Sequence, residues 1–182
     1  MVFRLSKIIT KTGDQGKTHI GKGVQVSKDS SRVMAIGDID ELNSTIGLLR
    51  VYVEDQAIKD NLIRIQHHLL ISGSYLAGSG RSELTPAHVV FLESWAADLM
   101  QLLEPVQDFV LPGGSIAGAH CHICRVTCRR AERHVVACAN ETELATLVMQ
   151  YLNRLSDVLF VLARVLNKQA NVDEIVLQRD MV

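Results

Sequence analysis

Between Leu144 and Leu166 the apolar residues Leu144, Leu147, Val148, Tyr151, Leu152, Leu155, Leu159, Leu162 and Leu166 recur at steps of three and four. Only a helix places such positions on one face, and so long a stripe must be buried against other helices. The spacing predicts a helix from near Glu141 to about Asn167. The same period recurs upstream. From Ser31 to about Val53 it is carried by Val33, Met34, Ile36, Ile39, Leu42, Ile46 and Leu49. From about Gln56 to Ala77 it puts Ile58, Leu62, Ile65, Leu69, Leu70 and Tyr75 inward. From Pro86 to Glu104 it is carried by Val89, Leu92, Trp95, Leu99 and Leu103. Gly78-Ser79-Gly80 and Pro105 break the pattern between these stretches. A further helix follows the breaker Pro112-Gly113-Gly114, with Ser115 as its N-cap, and runs to about Ala139.

Five amphipathic helices with short connections predict an all-α, five-helix bundle. No internal repeat or domain boundary is visible, so residues 1–182 read as one domain. Residues 1–29 form a glycine-rich arm, 30–167 the bundle, and 168–182 a tail that is a short strand or an irregular cap. Hydrophobic residues make up 47% of the chain, enough for a sizeable core. A net charge of −1 gives no global field for nucleic acid, so any anion site must be local. No apolar run is long enough to span a membrane. The opening MVFRLSKIIT is too short in its apolar part for a signal peptide, so a cytoplasmic location is expected, or a mature chain stripped of its targeting segment.

Cys121, Cys124, Cys128 and Cys138 lie on or near one predicted helix. Thiols on one helix face do not reach disulfide geometry with one another, so free thiols in a reducing compartment are expected. The neighbouring His120 and His122 invite a zinc reading, but all ligands would come from a single helix and no paired knuckle is present. The cysteines are read as small packing residues, and no protein ligand to a metal is assigned.

Polar residues then stand out in places a bundle does not require. In the fourth helix Arg125, Arg129 and Arg133 recur every four residues, with Glu132 on nearly the same face and Arg130 pointing elsewhere. Such guanidiniums repel one another unless they are solvated or an anion sits on them, and each planar fork can grip two phosphate oxygens. The arm carries Thr10-Lys11-Thr12-Gly13-Asp14-Gln15-Gly16-Lys17-Thr18, whose glycines, hydroxyls and lysines suit a phosphate. It is not a Walker A loop, because Lys11 stands where that motif needs a glycine. Lys28 and Arg32 flank the first helix N-terminus, which favours anions, while Asp29 or Ser30 supplies a cap. Asp40, Asn43 and Gly47 share a face that admits another chain or a ligand, and Asp40 is a candidate partner for an arginine of helix four. Asn153, Ser156, Asp157 and Phe160 form a second stripe beside the leucines of helix five.

Six segments in order, TKTGDQGKT, KDSSRV, DELNS-IG, FVLPGGS, R-x-x-x-RRAER and YLNRLSD, resemble the PduO-type ATP:cob(I)alamin adenosyltransferases. The resemblance covers Thr10 to about Leu166. It implies a homotrimer with active sites between subunits, and as substrates ATP, with Mg²⁺, and cob(I)alamin. By motif position Thr10, Lys11, Thr12, Gly13, Thr18, His19 and Lys28 would hold the nucleotide from the arm. Arg129, Arg130, Glu132 and Arg133 would hold it from helix four, and Asn153 from helix five. Arg125 would pair with Asp40 across the interface, and Phe109 would stand beneath the corrin ring. The chain has Cys124-Arg125-Val126 where the family often has Ala-Arg-Thr, and His19 where a small residue is common.

The implied reaction is attack of Co(I) on the 5′ carbon of ATP, yielding adenosylcobalamin and triphosphate. A strong metal nucleophile needs no general base, and no nucleophile–base pair is evident in the sequence. The further partners implied are a reductase and an adenosylcobalamin-dependent acceptor enzyme, with no nucleic acid and no membrane. Two other functions use the same residues: an ATP-dependent cobalamin carrier, and a regulatory ATP-binding bundle without chemistry.

Overall fold

The computed structural model describes residues 9, 11–79, 83–106, 108–139 and 146–181. Five helices are present among them: α1 (Ser31–Tyr52), α2 (Gln56–Leu76), α3 (Pro86–Met100), α4 (Ile116–Ala139) and α5 (Thr146–Gln169). The sequence-predicted start of the fifth helix near Glu141, and Leu144 of its stripe, lie outside the described residues. Side chains at the helix starts take up orphan amides, as their residue types require. Ser30 Oγ accepts from Val33 N at 3.4 Å, and Asp55 Oδ1 from Ile58 N at 3.1 Å. Ser115 Oγ accepts from Gly118 N at 3.0 Å, as expected of an N-cap.

The helices pack in the order α2, α1, α4, α5, α3, with α4 at the centre against both α1 and α5. The middle of the α5 leucine stripe is fully buried: Leu152, Leu155, Leu159 and Leu162 have no exposed surface, while Leu147 at its start is only partly buried. Truncating one such leucine to alanine costs about 2–5 kcal/mol. Two details depart from the sequence-derived pattern. Leu70 is 59% exposed rather than inward, because Leu69 already takes the inner direction and the next residue turns about 100° away. The third helix ends at Met100, not Glu104. Past that point Leu102 N and Leu103 N bond to carbonyls three residues back, at 3.1 Å each, so the chain tightens out of α geometry before Pro105.

The arm is a β-hairpin. β1 (Lys17–Ile20) pairs antiparallel with β2 (Val24–Ser27), in register Lys17 with Ser27 and Ile20 with Val24. Its turn docks on the end of α2, where Gly21 N donates to Ala77 O at 2.5 Å. A Cβ on Gly21 would come within 2.4 Å of the Gly78 carbonyl, so only glycine permits this approach.

The tail departs from α5 and pairs with the stretch before α4, with Val110 opposite Val176 in an antiparallel bridge. Read from sequence as a short strand or an irregular cap, it makes this single bridge among the described residues and ends in a 3-10 turn at Arg179–Met181. No helix among the described residues is long and apolar enough to cross a membrane.

Asn167 explains Gly114 of the Pro112-Gly113-Gly114 breaker and Gly118 of α4, since a Cβ on Gly114 would stand 2.4 Å from its Oδ1. It is 2% exposed, its Oδ1 accepts from Ser115 N at 2.9 Å and Ser115 Oγ at 3.0 Å, and its Nδ2 donates to Gly113 O at 3.1 Å. A Cβ on Gly118 would stand 1.9 Å from Asn167 Oδ1. Gly118→Ala therefore expels a buried amide and breaks this knot. The expected loss is about 2–3 kcal/mol, a Tm drop on the order of 5–10 °C by calorimetry. A variant melting like the parent would show that Asn167 can move at no cost.

His68 on α2 is buried, with Nδ1 3.0 Å from the Tyr151 hydroxyl and its ring edge-on to His88. Burial, then the positive fields of His88, Arg64 and His67, lower its pKa from 6.5 to about 4. The folded protein keeps this ring neutral, whereas the unfolded chain protonates it below pH 6.5. Stability tied to His68 is therefore present above that pH and is lost as pH falls towards 4. The expected size is roughly 1–2 kcal/mol after allowance for partial screening. Urea unfolding of His68→Gln should lose less stability than the parent between pH 7 and 4.5.

Candidate active site

The α4–α5 groove brings together residues singled out on helices four and five. Arg125 and Arg129 line a cavity of about 210 Å³ with Ser156, Asp157 and Phe160. One turn further along, Asn153 Nδ2 donates to Glu132 Oε1 at 3.1 Å, joining α5 to α4. Arg133 Nη1 donates to the carbonyl of Arg129 at 3.2 Å, which keeps it on the same stripe. Spacing alone placed the arginines on one face of α4. The packing of α5 beside that face makes it a groove rather than a ridge.

Arg125 is the unusual member. Its Nε is buried with no hydrogen-bond partner, and burial together with the neighbouring Arg129 lowers its pKa. A buried guanidinium nitrogen with nothing to donate to is costly in a finished site and ordinary in one awaiting a guest. His122, one turn earlier, repeats the pattern: it is 3% exposed and neither ring nitrogen has a partner. Burial first, then Arg125, pushes its pKa down, so it is neutral. His122, Asp157 and Phe160 were not among the assigned site residues. A histidine one turn before the arginine stripe was the available signal.

Arg130 points away from the groove towards α1, as its position predicts. It pairs with Glu41, and its Nε lies 3.5 Å from Asp38 Oδ2. His134 Nδ1 lies 2.5 Å from the same carboxylate oxygen. The acidic cluster on α1 thus engages helix four through Asp38 and Glu41. Asp40 itself is exposed, and its carboxylate has no partner among the described residues. Asn43 and Gly47 were read as open to another chain or ligand. Asn43, largely buried and with its Oδ1 unpartnered, lines a cavity of about 240 Å³ with Asp40, while Gly47 makes room for Gln66 of α2, whose Nε2 donates to Asn43 O at 3.0 Å.

The arm gathers a second group. Gly13 lies against Lys28: a Cβ there would meet Nζ at 3.0 Å. Lys28 N donates to Gly16 O at 2.9 Å, closing the loop that Gly13 and Gly16 begin. Lys11 has φ 60°, so the loop turns sharply at its start. Thr12 lies in the same loop; on β1 Thr18 is half-buried and His19 exposed. Thr10 lies outside the described residues. Within one chain this group is fastened to the α2 end, and none of the residues lining the α4–α5 groove comes from it.

Phe109 lies just before the glycine breaker and is 77% exposed. Cys121, Cys124 and Cys128 are buried. Burial raises their thiol pKa values, that of Cys124 to about 11, and Cys121 and Cys128 donate to Leu159 O and Leu152 O at 3.2 Å each. Cys121 and Cys128 thus pack the α4–α5 seam, while Cys124 meets Thr45 of α1.

The family model for cobalamin adenosyltransferase matches residues 8–166. The chain belongs to the cobalamin adenosyltransferase family. Among its relatives, a cobalamin adenosyltransferase of Cupriavidus metallidurans is 46% identical over 97% of each chain. A corrinoid adenosyltransferase of Bacillus subtilis is 39% identical, over 97% of this chain and 94% of that one. The structure of a variant PduO-type ATP:corrinoid adenosyltransferase from Lactobacillus reuteri, complexed with cobalamin and ATP, superposes with a TM-score of 0.90. It shares 31% identity and covers 95% of this chain and 97% of that one.

Proposed function

We propose that the chain transfers the 5′-deoxyadenosyl group of ATP to the cobalt of cob(I)alamin, forming adenosylcobalamin and triphosphate. The observation that carries this is Arg125 and Arg129 side by side in the α4–α5 groove, one with a buried nitrogen that has no partner. The cobalt electron pair forms the Co–C5′ bond, the C5′–O bond breaks, and its electrons leave on triphosphate. No proton moves, so no base is needed. The protein's task is to orient both substrates in line and to stabilise charge on the leaving group. Arg129, Arg133 and Arg125 serve the triphosphate, with Lys11 and Lys28 from the arm. Glu132, held by Asn153, steers the guanidiniums. Thr10, Thr12, Gly13, Thr18 and the backbone of His19 line the nucleotide, and Arg130, turned towards α1 beside Glu41, holds it from outside the groove.

Because the arm and the groove lie on different parts of one chain, a complete site needs the arm of a neighbouring subunit. A homotrimer meets that need. Exposed apolar residues on α1 and α4, among them Leu48, Val51, Ile123 and Val126, suit such a contact. The partnerless Asp40 and Arg125 suit an ion pair across it. Mg²⁺ enters on the triphosphate, since no group of three His, Cys, Asp or Glu among the described residues could hold a metal. Mg²⁺ ordinarily takes phosphate and water ligands, and here it would neutralise leaving-group charge. One domain, residues 1–182, carries all of this, and its free thiols suit the cytoplasm. A reductase would supply the Co(I) state and an acceptor enzyme would take the product.

The test is to mix the protein with ATP, Mg²⁺ and chemically reduced cobalamin and record the visible spectrum. Appearance of the adenosyl form supports transfer. Binding of both substrates without a Co–C bond would make the protein a carrier or a sensor.

A further inference from the structure

Phe109 is 77% exposed, so packing within its own chain does not set the direction of its ring. Its backbone is set by the tail. Leu177 N donates to Phe109 O at 2.7 Å, Leu111 N donates to Ile175 O at 2.8 Å, and Val110 faces Val176 between them. The tail is pinned in turn to α5. Val172 N donates to Asn167 O at 3.0 Å, and Arg164 Nε donates to both oxygens of Glu174 at 3.1 and 2.9 Å. The same guanidinium reaches back through Nη2 to the carbonyl of Glu104 at 3.1 Å, beyond the end of α3. Arg164 therefore ties α5, the tail and the start of the α3–α4 connection to one point.

The pair is sheltered. The side chains of Arg164 and Glu174 are 13% and 20% exposed, and they border a cavity of about 560 Å³ shared with Pro105, Asp108 and Val110. In such a place, removing one charge strands the other, so the link is held or lost as a unit. A second, exposed tie runs from Arg179 to Asp108, at 3.3 Å. Asp108 Oδ1 also accepts from Phe109 N at 2.8 Å.

We propose that Arg164 and Glu174 are positioning residues for Phe109: through the tail ladder they hold its ring where the corrin docks. The tail then belongs to the active site by its backbone. The consequence for catalysis depends on Phe109 standing beneath the corrin ring, the place that the resemblance to the PduO-type enzymes implies for it.

The test compares Glu174→Gln, Arg164→Met and the reversal Arg164→Glu/Glu174→Arg with the parent and with Phe109→Ala. Three quantities are read in the intact protein. These are amide exchange at Leu111 and Leu177, the spectrum of cob(II)alamin bound with ATP, and KM for ATP. In the single variants exchange at both amides should quicken by at least about tenfold, since the ladder opens locally. The four-coordinate cob(II) signal should fall towards that of Phe109→Ala, while KM for ATP stays within about twofold, because the arm and the arginines are untouched. The reversal should restore both the slow exchange and the signal. Unchanged exchange in Glu174→Gln overturns the proposal, as does quickened exchange with a full four-coordinate signal. If Phe109→Ala itself keeps that signal, the Phe109 role fails and takes the positioning role with it. The exchange data would still show whether the ion pair holds the ladder.

Discussion

Arg129→Ala is expected to lower kcat/KM for adenosyl transfer by about 10²–10³, the usual effect of removing a donor aimed at developing charge. Arg129 shares its cavity with Arg125 and offers its own carbonyl to Arg133, so it sits at the centre of the cationic stripe. Triphosphate gains negative charge as the C5′–O bond stretches, and the guanidinium should grip it more tightly then than in the ground state. The loss should therefore appear in kcat as well as in KM for ATP. Arg129→Lys keeps the charge but not the fork, and should fall between parent and alanine. The fold should survive, because Arg129 is exposed and contributes little to the core. Steady-state kinetics with chemically reduced cobalamin give the answer. An alanine variant with normal ATP affinity and a normal rate would end the case for the groove as the triphosphate seat.

Phe109→Ala should slow product formation from cob(II)alamin by about two orders of magnitude, some 2.7 kcal/mol of barrier. Its affinity for ATP should change by no more than about twofold, since the ring belongs to neither the arm nor the arginine stripe. Cob(II)alamin resists reduction while a lower axial ligand feeds the metal. An apolar ring in that position would exclude water and the nucleotide base and would leave a four-coordinate ion that accepts an electron more readily. The ring is suited to the task because it is not consumed in packing: it stands 77% exposed on a stretch fixed by the tail. For the same reason its loss should barely alter the melting temperature. Feeding cob(II)alamin with a reductant, and measuring ATP binding in parallel, separates the two effects. Equal losses in both would place Phe109 in general architecture instead.

Much of the bundle was legible because helix burial leaves a local mark. The stripe ending at Leu166 could face only one way, and Ser115 could cap only the helix that follows it. The Arg125, Arg129 and Arg133 row was visible for the same reason. What escaped was whatever depended on a neighbour distant in sequence. Leu70 carries the same letter as Leu69, yet only the second meets the core. Gly47 looked like a docking site and proved to be a seat for Gln66. Gly118 owes its place in α4 to Asn167, distant in the chain, which leaves no room for a Cβ.

By itself the sequence determined the helices, their inward faces, the chemical character of the arm and the family, since each follows from spacing, side-chain type or the order of motifs. Tertiary structure alone decided that α5 lies beside the arginine row, that Arg130 turns to Asp38 and Glu41, that the arm docks on α2, and that the tail clasps Phe109. Those outcomes depend on contacts between residues far apart in the chain. Such contacts form when packed helices and paired strands bring their side chains within hydrogen-bond reach, and no local pattern records them.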